Sequence, residues 1–283
     1  MSGTKPLRRF DTSLGLCESV GVFASGENLA MGAEGMASSE DPQTAMTSGD
    51  KSDSPPTVTV MIPTLNEAGN LPFVLNTIPE WVDEILIVDG RSQDDTLRIA
   101  TDLRPDVRVL RVARLGKGAA MKAGFDAATG DFIIALDADG SMDGAMIGAF
   151  RDAFVAGAEY VKGTRFGPGG GSADITRFRR VGDWGICLLT RLLFGAKYTD
   201  ATYGYVGIRA DAVKKIGIDS DGFEVETLIG IRAQRAGLRI AEVSCFESTR
   251  IIGKSNLHAV RDGIRILKVI LRERLRRRTD VTD

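Results

Sequence analysis

From Thr57 onward, short apolar runs alternate with stretches in which apolar residues recur every three or four positions. Val58–Ile62, Glu84–Val88, Val107–Val112 and Phe132–Leu136 are largely apolar runs of strand length. Between them, Asn70–Ile78, Asp95–Leu103 and Lys117–Ala128 carry helical spacing. Strands that are apolar almost throughout are buried on both faces, as in a parallel sheet between two helical layers. The pattern predicts an α/β fold with a Rossmann-like, mostly parallel sheet and helices on both faces. In such folds ligands gather at the carboxyl ends of the strands.

Residues 1–56 lack periodicity and are rich in Ser, Gly, Ala, Met and Asp, which predicts a disordered N-terminal tail. Order is expected to begin after Pro55-Pro56, with one domain over 57–256. The glycine-rich stretch Gly167–Gly171 reads as a mobile surface loop. The segment 257–283 contains a predicted amphipathic helix from about Leu257 to Arg278. Leu257, Val260, Ile264, Leu267 and Leu271 form its apolar stripe, expected to pack on the core along Leu257–Leu267. Eight basic residues between His258 and Arg278 face only Asp262 and Glu273. That imbalance suits an anionic membrane surface, such as the inner face of the cell membrane.

Composition narrows the classes. A chain of 283 residues, 43% hydrophobic, can bury one substantial core. A net charge of −2 lacks the cationic excess that phosphate-backbone binding requires, so no nucleic-acid partner is expected. Cys17, Cys187 and Cys245 are widely spaced and form no metal-ligand pattern, which suits a reducing, cytoplasmic setting. No apolar run approaches the ~18–20 residues that span a bilayer. Arg191, for example, interrupts Leu188–Phe194. Arg8, Arg9 and Asp11 are followed by no apolar core, so no signal peptide is expected.

Each predicted strand ends in polar residues: Pro63-Thr64-Leu65-Asn66-Glu67, Asp89-Gly90-Arg91-Ser92, Leu115-Gly116-Lys117-Gly118 and Asp137-Ala138-Asp139-Gly140. One such loop is ordinary turn and capping chemistry, and Asp94-Asp95-Thr96 reads as a helix cap and first turn. Four in succession resemble a nucleotide site. Asp137 and Asp139 can turn toward one point and hold a hard divalent cation, Mg2+ or Mn2+, that also binds phosphate oxygens. Glu67 and Asp89 can accept from a nucleobase or ribose. Lys117, between two glycines at a helix start, lies where a backbone can approach a phosphate. Arg165, Arg177, Arg179 and Arg180 flank the glycine loop, and such a cluster suits a second anionic substrate.

Other motifs fail on spacing. Met121 stands where the dinucleotide fingerprint needs its third glycine, and Ser248 where a P-loop ending at Gly253-Lys254-Ser255 needs its first. No Gly-x-Ser-x-Gly elbow occurs, and the single histidine, His258, opens the last helix.

Together these residues resemble the family 2 glycosyltransferases, particularly the polyprenyl-phosphate sugar synthases related to dolichol-phosphate mannose synthase. The matching segments are Ile62–Glu67, Val88–Ser92, Gly116–Gly118, Asp137–Gly140 and Gly163-Thr164-Arg165, then Asp200–Tyr205 and Gly222–Glu226. The resemblance covers roughly Val58 to Leu271. It implies a GT-A fold and inverting, metal-dependent transfer of a hexose from a nucleotide sugar (GDP-mannose or UDP-glucose type) to a polyprenyl phosphate. By similarity, Pro63 and Glu67 would line the nucleoside pocket, and Asp89 would contact base or ribose. Lys117 would lie near the nucleotide, Asp137 would contact ribose or metal, and Asp139 would bind the metal. Arg165 and Arg180 would receive the acceptor phosphate. The chain departs from the pattern at Val206, where relatives often carry arginine, at Asn256 in place of lysine, and at Ser141 in place of glutamine. Donor and acceptor identity therefore stay open.

Three alternatives remain at this level. A hydroxyl acceptor on a small molecule or glycan would need a base, with Glu224 or Glu226 as candidate. A sugar-nucleotide-forming nucleotidyltransferase would carry an early glycine-rich basic loop, which Pro63–Glu67 is not. A non-catalytic nucleotide-sugar binding protein would not need the Asp137/Asp139 pair.

Overall fold

The computed structural model describes residues 22–24, 54–255 and 257–276. A short strand, β1 (Val22–Ala24), precedes the strands expected from the sequence, β2 (Val58–Thr64), β3 (Glu84–Asp89), β4 (Arg108–Arg111) and β5 (Phe132–Ala135). Strands β6 (Tyr160–Thr164), β8 (Val206–Arg209) and β9 (Ile240–Ser244) complete an eight-stranded sheet of order β1-β9-β6-β8-β5-β2-β3-β4. The pairs β4-β3, β3-β2 and β2-β5 are parallel, as is β6-β9, while β8 runs antiparallel between β5 and β6. A separate two-stranded parallel ribbon joins β7 (Gly171–Ser172) to β10 (Phe246–Glu247). The glycine stretch expected as a loop thus supplies a strand. The expected disordered tail over 1–56 falls mostly outside the described residues, and its described part includes β1, paired antiparallel with β9.

The two faces of the sheet carry separate cores, as continuously apolar strands require. On β2, Val58, Val60 and Ile62 enter one core, and Met61 enters the other. The first lies under α1 (Leu71–Thr77), α2 (Thr96–Leu103) and α4 (Ile147–Val155). The second lies under α3 (Lys117–Ala127), α6 (Ala210–Ile216) and α7 (Val225–Arg235). This is the α/β architecture expected from the sequence, a mostly parallel sheet with helices on both faces. In-register pairing of Thr64 with Asp89, and of Met61 with Ala135, brings the carboxyl ends of β2, β3 and β5 to one edge.

Two long helices, α5 (Arg177–Phe194) and α8 (Ala259–Leu275), form an outer layer. Ile266 and Ile270 of α8 pack with Ile231 of α7 and with Ile186 and Leu189 of α5. The expected packing of Leu257–Leu267 is corrected here. Val260, Ile264, Leu267 and Leu271 are exposed, Val260 at 67%, and α8 buries Asp262, Ile266, Val269, Ile270 and Glu273 instead. The helix carries two apolar faces, and buried ion pairs decide between them. Glu273 meets Arg232 at 2.7 Å and Arg235 at 3.3 Å, both on α7, which locks this face inward. Basic residues near the end of α8 are partly neutralised, since Arg272 and Arg276 reach Asp219 at 2.7 and 3.1 Å. Arg277 and Arg278 lie outside the described residues. No described helix is long and apolar enough to cross a membrane.

Candidate functional site

The strand-end loops are stitched into one wall. Asn66, at φ 57°, accepts from Gln93 N at 2.8 Å through Oδ1, and its own N–H donates to Ser92 Oγ at 2.9 Å. Glu67 N donates to Thr96 Oγ1 at 2.8 Å. Asp94 accepts from Thr96 N at 3.1 Å and from Ala68 N at 3.2 Å, so the expected cap at this helix start also ties two loops together.

Behind this wall lies a cavity of about 1140 Å³, with Pro63, Glu67, Lys117, Asp137 and Asp139 at its polar end. Asp137 and Asp139 leave β5 as the sequence implied, and both line the cavity. Lys117 Nζ sits 2.7 Å from Asp137 Oδ1 and 2.7 Å from Glu226 Oε1. Gly204 makes room for this group, because a Cβ there would meet Lys117 Nζ at 2.7 Å and Asp137 Oδ2 at 2.8 Å. Burial works against the charge on Lys117, but the two carboxylates outweigh it and hold its pKa above the usual lysine range. Burial raises the pKa of Glu226, and Asp137 adds to that rise against the opposing pull of Lys117.

The glycines beside Lys117 let the chain's own backbone come close. A Cβ at Gly116 would lie 2.1 Å from Asp221 O, and one at Gly118 would lie 2.0 Å from Ser220 O. They admit the chain's own loop before α7, and Gly118 N donates to Asp221 O at 2.8 Å. Asp89 is fully buried, and its carboxylate is committed to Ser92 N at 3.0 Å and Arg111 Nε at 3.2 Å. The cavity wall at that point is Gly90.

Arg165 is equally committed. It donates to Asp200 through Nε at 2.8 Å, to Glu247 through Nη1 at 3.2 Å, and to Asp183 and Thr202 through Nη2 at 3.3 and 3.0 Å. Arg180 is exposed. Both guanidinium groups lie against the Phe166 ring, at 5.6 Å for Arg165 and 5.8 Å for Arg180. The expected Arg165–Arg180 phosphate pair is thus split between a buried hub and a surface arginine. Arg179, rather than Arg180, lines the cavity, and it pairs with Asp174 at 3.1 Å.

Arg250 was not anticipated. Its Nη2 meets Glu67 Oε1, and its Nη1 lies 3.4 Å from Asp139 Oδ2. Burial raises the pKa of Glu67 against the lowering pull of Arg250 and Asn70. A basic residue three positions before the glycine of Gly253-Lys254-Ser255 was the only sequence signal, and it is a weak one.

Beyond the polar end, the same cavity runs between α5 and α8, past Phe178, Ile186, Leu189, Ile264 and Leu267. The outer faces there are also apolar: Val181 is 68% exposed and Trp184 66%. Asp137 and Asp139 supply hard oxygen donors of the kind Mg2+ or Mn2+ takes, and a diphosphate could complete the set. Among the described residues no group of three or more His, Cys, Asp or Glu side chains is placed to hold a metal ion unaided.

The model of the family described as glycosyl transferase family 2 matches residues 59–217. An undecaprenyl-phosphate mannosyltransferase of Micrococcus luteus is 34% identical over 214 residues, covering 71% of this chain and 87% of that relative. A polyprenol monophosphomannose synthase of Mycolicibacterium smegmatis is 33% identical over 211 residues, covering 70% and 80%. Among solved structures, glucosyl-3-phosphoglycerate synthase from Mycobacterium tuberculosis, in complex with Mn2+, UDP-glucose and glycerol 3-phosphate, superposes with a TM-score of 0.62. It is 21% identical and covers 77% of this chain and 80% of that one.

Proposed function

Since the chain belongs to glycosyl transferase family 2 and is a glycosyltransferase, we propose that it transfers a hexose, of the mannose or glucose type, from a nucleotide sugar to a polyprenyl phosphate with inversion. One observation carries the reading: a polar pocket holding Asp137, Asp139 and Lys117 opens, within a single cavity, onto an apolar trough between α5 and α8. A nucleotide sugar suits the first part and an isoprenoid chain the second. The names of the two mannosyl relatives support the same pairing of substrates.

The donor is placed with its nucleoside near Pro63 and Glu67 and its diphosphate toward Asp137 and Asp139. Those two aspartates would hold the divalent ion, Mg2+ or Mn2+, whose Lewis acidity would stabilise the departing diphosphate. Lys117 orients Asp137. Asp89 acts on the nucleoside loop indirectly, by fixing Ser92. The acceptor phosphate oxygen attacks the anomeric carbon as the bond from that carbon to the diphosphate breaks. An ionised phosphate is already nucleophilic and needs no dedicated base. Of the two candidate bases that a hydroxyl acceptor would call for, Glu226 gives its carboxylate to Lys117, and Glu224 accepts from Ser220 Oγ at 2.7 Å and does not line the cavity, which supports a phosphate acceptor.

Transfer from GDP-mannose and UDP-glucose should be measured with a polyprenyl phosphate and, separately, with hydroxyl acceptors. Product with the lipid phosphate alone is the expected result, and product with hydroxyl acceptors alone would sink the reading. Within it, Arg165 is a positioning residue, and Arg179, which lines the cavity, receives the acceptor phosphate. Arg179→Ala should raise the acceptor KM about tenfold or more, the cost of one charge-assisted hydrogen bond, with the donor KM unchanged. An equal rise in both would remove Arg179 from the acceptor site.

The exposed faces of α5 and α8 are the proposed seat on an anionic membrane. Each large apolar side chain inserted gains ~1.5–3 kcal/mol, and each Lys or Arg near the surface gains ~1 kcal/mol. Sedimentation with anionic vesicles is expected, weakened by salt. Trp184→Ser with Leu271→Ser should lower partitioning by about two orders of magnitude. Wild-type protein that ignores anionic vesicles at low salt would overturn this seat.

A further inference from the structure

Both carboxylates of the Asp137–Asp139 turn already face a side-chain cation. Lys117 holds Asp137, and Arg250 holds Asp139 through Oδ2 at 3.4 Å. The other oxygen of Asp139, Oδ1, accepts from Ser141 N at 3.0 Å and Ser141 Oγ at 2.7 Å. Oδ2 is therefore the oxygen turned toward a cation, and the cation there is Arg250.

Local structure fixes this arrangement. The strap after β10 is sewn to the metal turn by Ser248 N donating to Ser141 O at 2.8 Å and Ile251 N to Asp139 O at 3.2 Å. It is sewn to the nucleoside loop by Ile252 N donating to Asn70 Oδ1 at 2.9 Å. Arg250 Nε donates to Ile252 O at 2.8 Å, and its Nη2 turns to Glu67. Strap residues Thr249, Arg250 and Gly253 wall the polar end of the cavity.

Resting on the donor-site reading above, we infer that Arg250 is a resident counter-cation of the metal-binding turn. It gives up Asp139 for the donor diphosphate when metal and nucleotide bind together. A guanidinium and a divalent ion compete for Asp139 Oδ2, because like charges that close repel. Two carboxylates, each already paired, are a sparse ligand set for a hard ion that takes six or more oxygens. A diphosphate removes both obstacles. It adds oxygens for the ion and offers Arg250 anionic oxygens that match its fork. Metal and nucleotide then favour each other's binding by the same factor, as linkage requires. Metal alone binds weakly, and the turn is kept from idle occupation.

The test is a Mn2+ titration followed by electron paramagnetic resonance, on wild type, Arg250→Gln and Arg250→Lys. Each is run without nucleotide and with GDP or UDP in separate series. Without nucleotide, Arg250→Gln should bind Mn2+ roughly tenfold more tightly than wild type, since a competing charge is gone. The gain in Mn2+ affinity on adding nucleotide should shrink by a similar factor. Arg250→Lys keeps a charge and should return most of the weak nucleotide-free binding, which a loss of folding would not do. Unchanged or weaker nucleotide-free binding in Arg250→Gln overturns the inference alone. Wild type that binds no Mn2+ with either nucleotide overturns the donor-site reading, and the inference with it.

Discussion

Arg165→Ala is expected to lower the free energy of unfolding by about 3–5 kcal/mol, the cost of removing one partner from a buried ion pair. Arg165 meets Asp200, Asp183 and Glu247, and all four residues are buried. Alanine would strand three carboxylates around an apolar stub. Asp200 is the most exposed to the loss: burial alone would raise its pKa, and Arg165 reverses that and holds it below the ordinary carboxylate range. Lys162 is the other cation acting on Asp200, and it is itself pushed toward neutrality by burial. The sign with pH follows. A depressed folded pKa contributes stability above the unfolded value and loses it as pH falls through the folded one. The deficit of Arg165→Ala should thus be largest near neutral pH and should narrow below the ordinary carboxylate range. Urea unfolding at several pH values checks both claims. A loss under about 1 kcal/mol would mean that water or neighbouring cations can stand in for the guanidinium. Arg165→Lys should recover part of the loss, because it keeps the charge without the fork.

That hub also shows where sequence reasoning stops. Strands β2, β3 and β5 were legible because a parallel strand buried on both faces leaves a continuous apolar run, and its carboxyl end leaves a polar one. Pro63, Glu67, Asp137 and Asp139 were therefore found together, and the structure puts them at one end of one cavity. Pairing between such loops was not legible. Arg250 reaches Glu67 across 183 positions and Asp139 across 111, and no local pattern reports a contact of that range. The same limit affected the glycines at 116 and 118. A close backbone neighbour demands glycine as firmly as a phosphate does, and here the neighbour is the Ser220–Asp221 loop. Periodicity marked α8 as amphipathic but could not say which apolar face turns inward. Glu273, read as one of two acidic residues in a basic segment, decides it by pairing with Arg232. The outward face, with that of α5, forms the apolar rim of the cavity.

Asp139→Asn is expected to cost about three orders of magnitude in kcat/KM, because several kcal/mol of transition-state stabilisation at the diphosphate depend on the ion it would hold. The substitution is nearly isosteric, so the fold should survive. Asparagine Oδ1 can still accept from Ser141 N and Oγ, as Asp139 does at 3.0 and 2.7 Å. What disappears is the negative Oδ2, replaced by an amide that donates and cannot bind a cation. That amide would also face Arg250 donor to donor, leaving Glu67 as the arginine's one carboxylate partner at the site. Nucleotide-dependent Mn2+ binding should fall with activity, while the midpoint of thermal unfolding stays within a few degrees of wild type. EDTA should reproduce the activity loss in the wild-type enzyme, and added Mn2+ or Mg2+ should reverse it. Asp137→Asn should act differently. It removes one of the two carboxylates on Lys117 Nζ and leaves Glu226 as the remaining partner, so part of its effect should appear as lost stability. Full transfer by Asp139→Asn, or by wild type in metal-free buffer, would end the metal assignment and leave Lys117 and Arg250 as the cations available to a departing diphosphate.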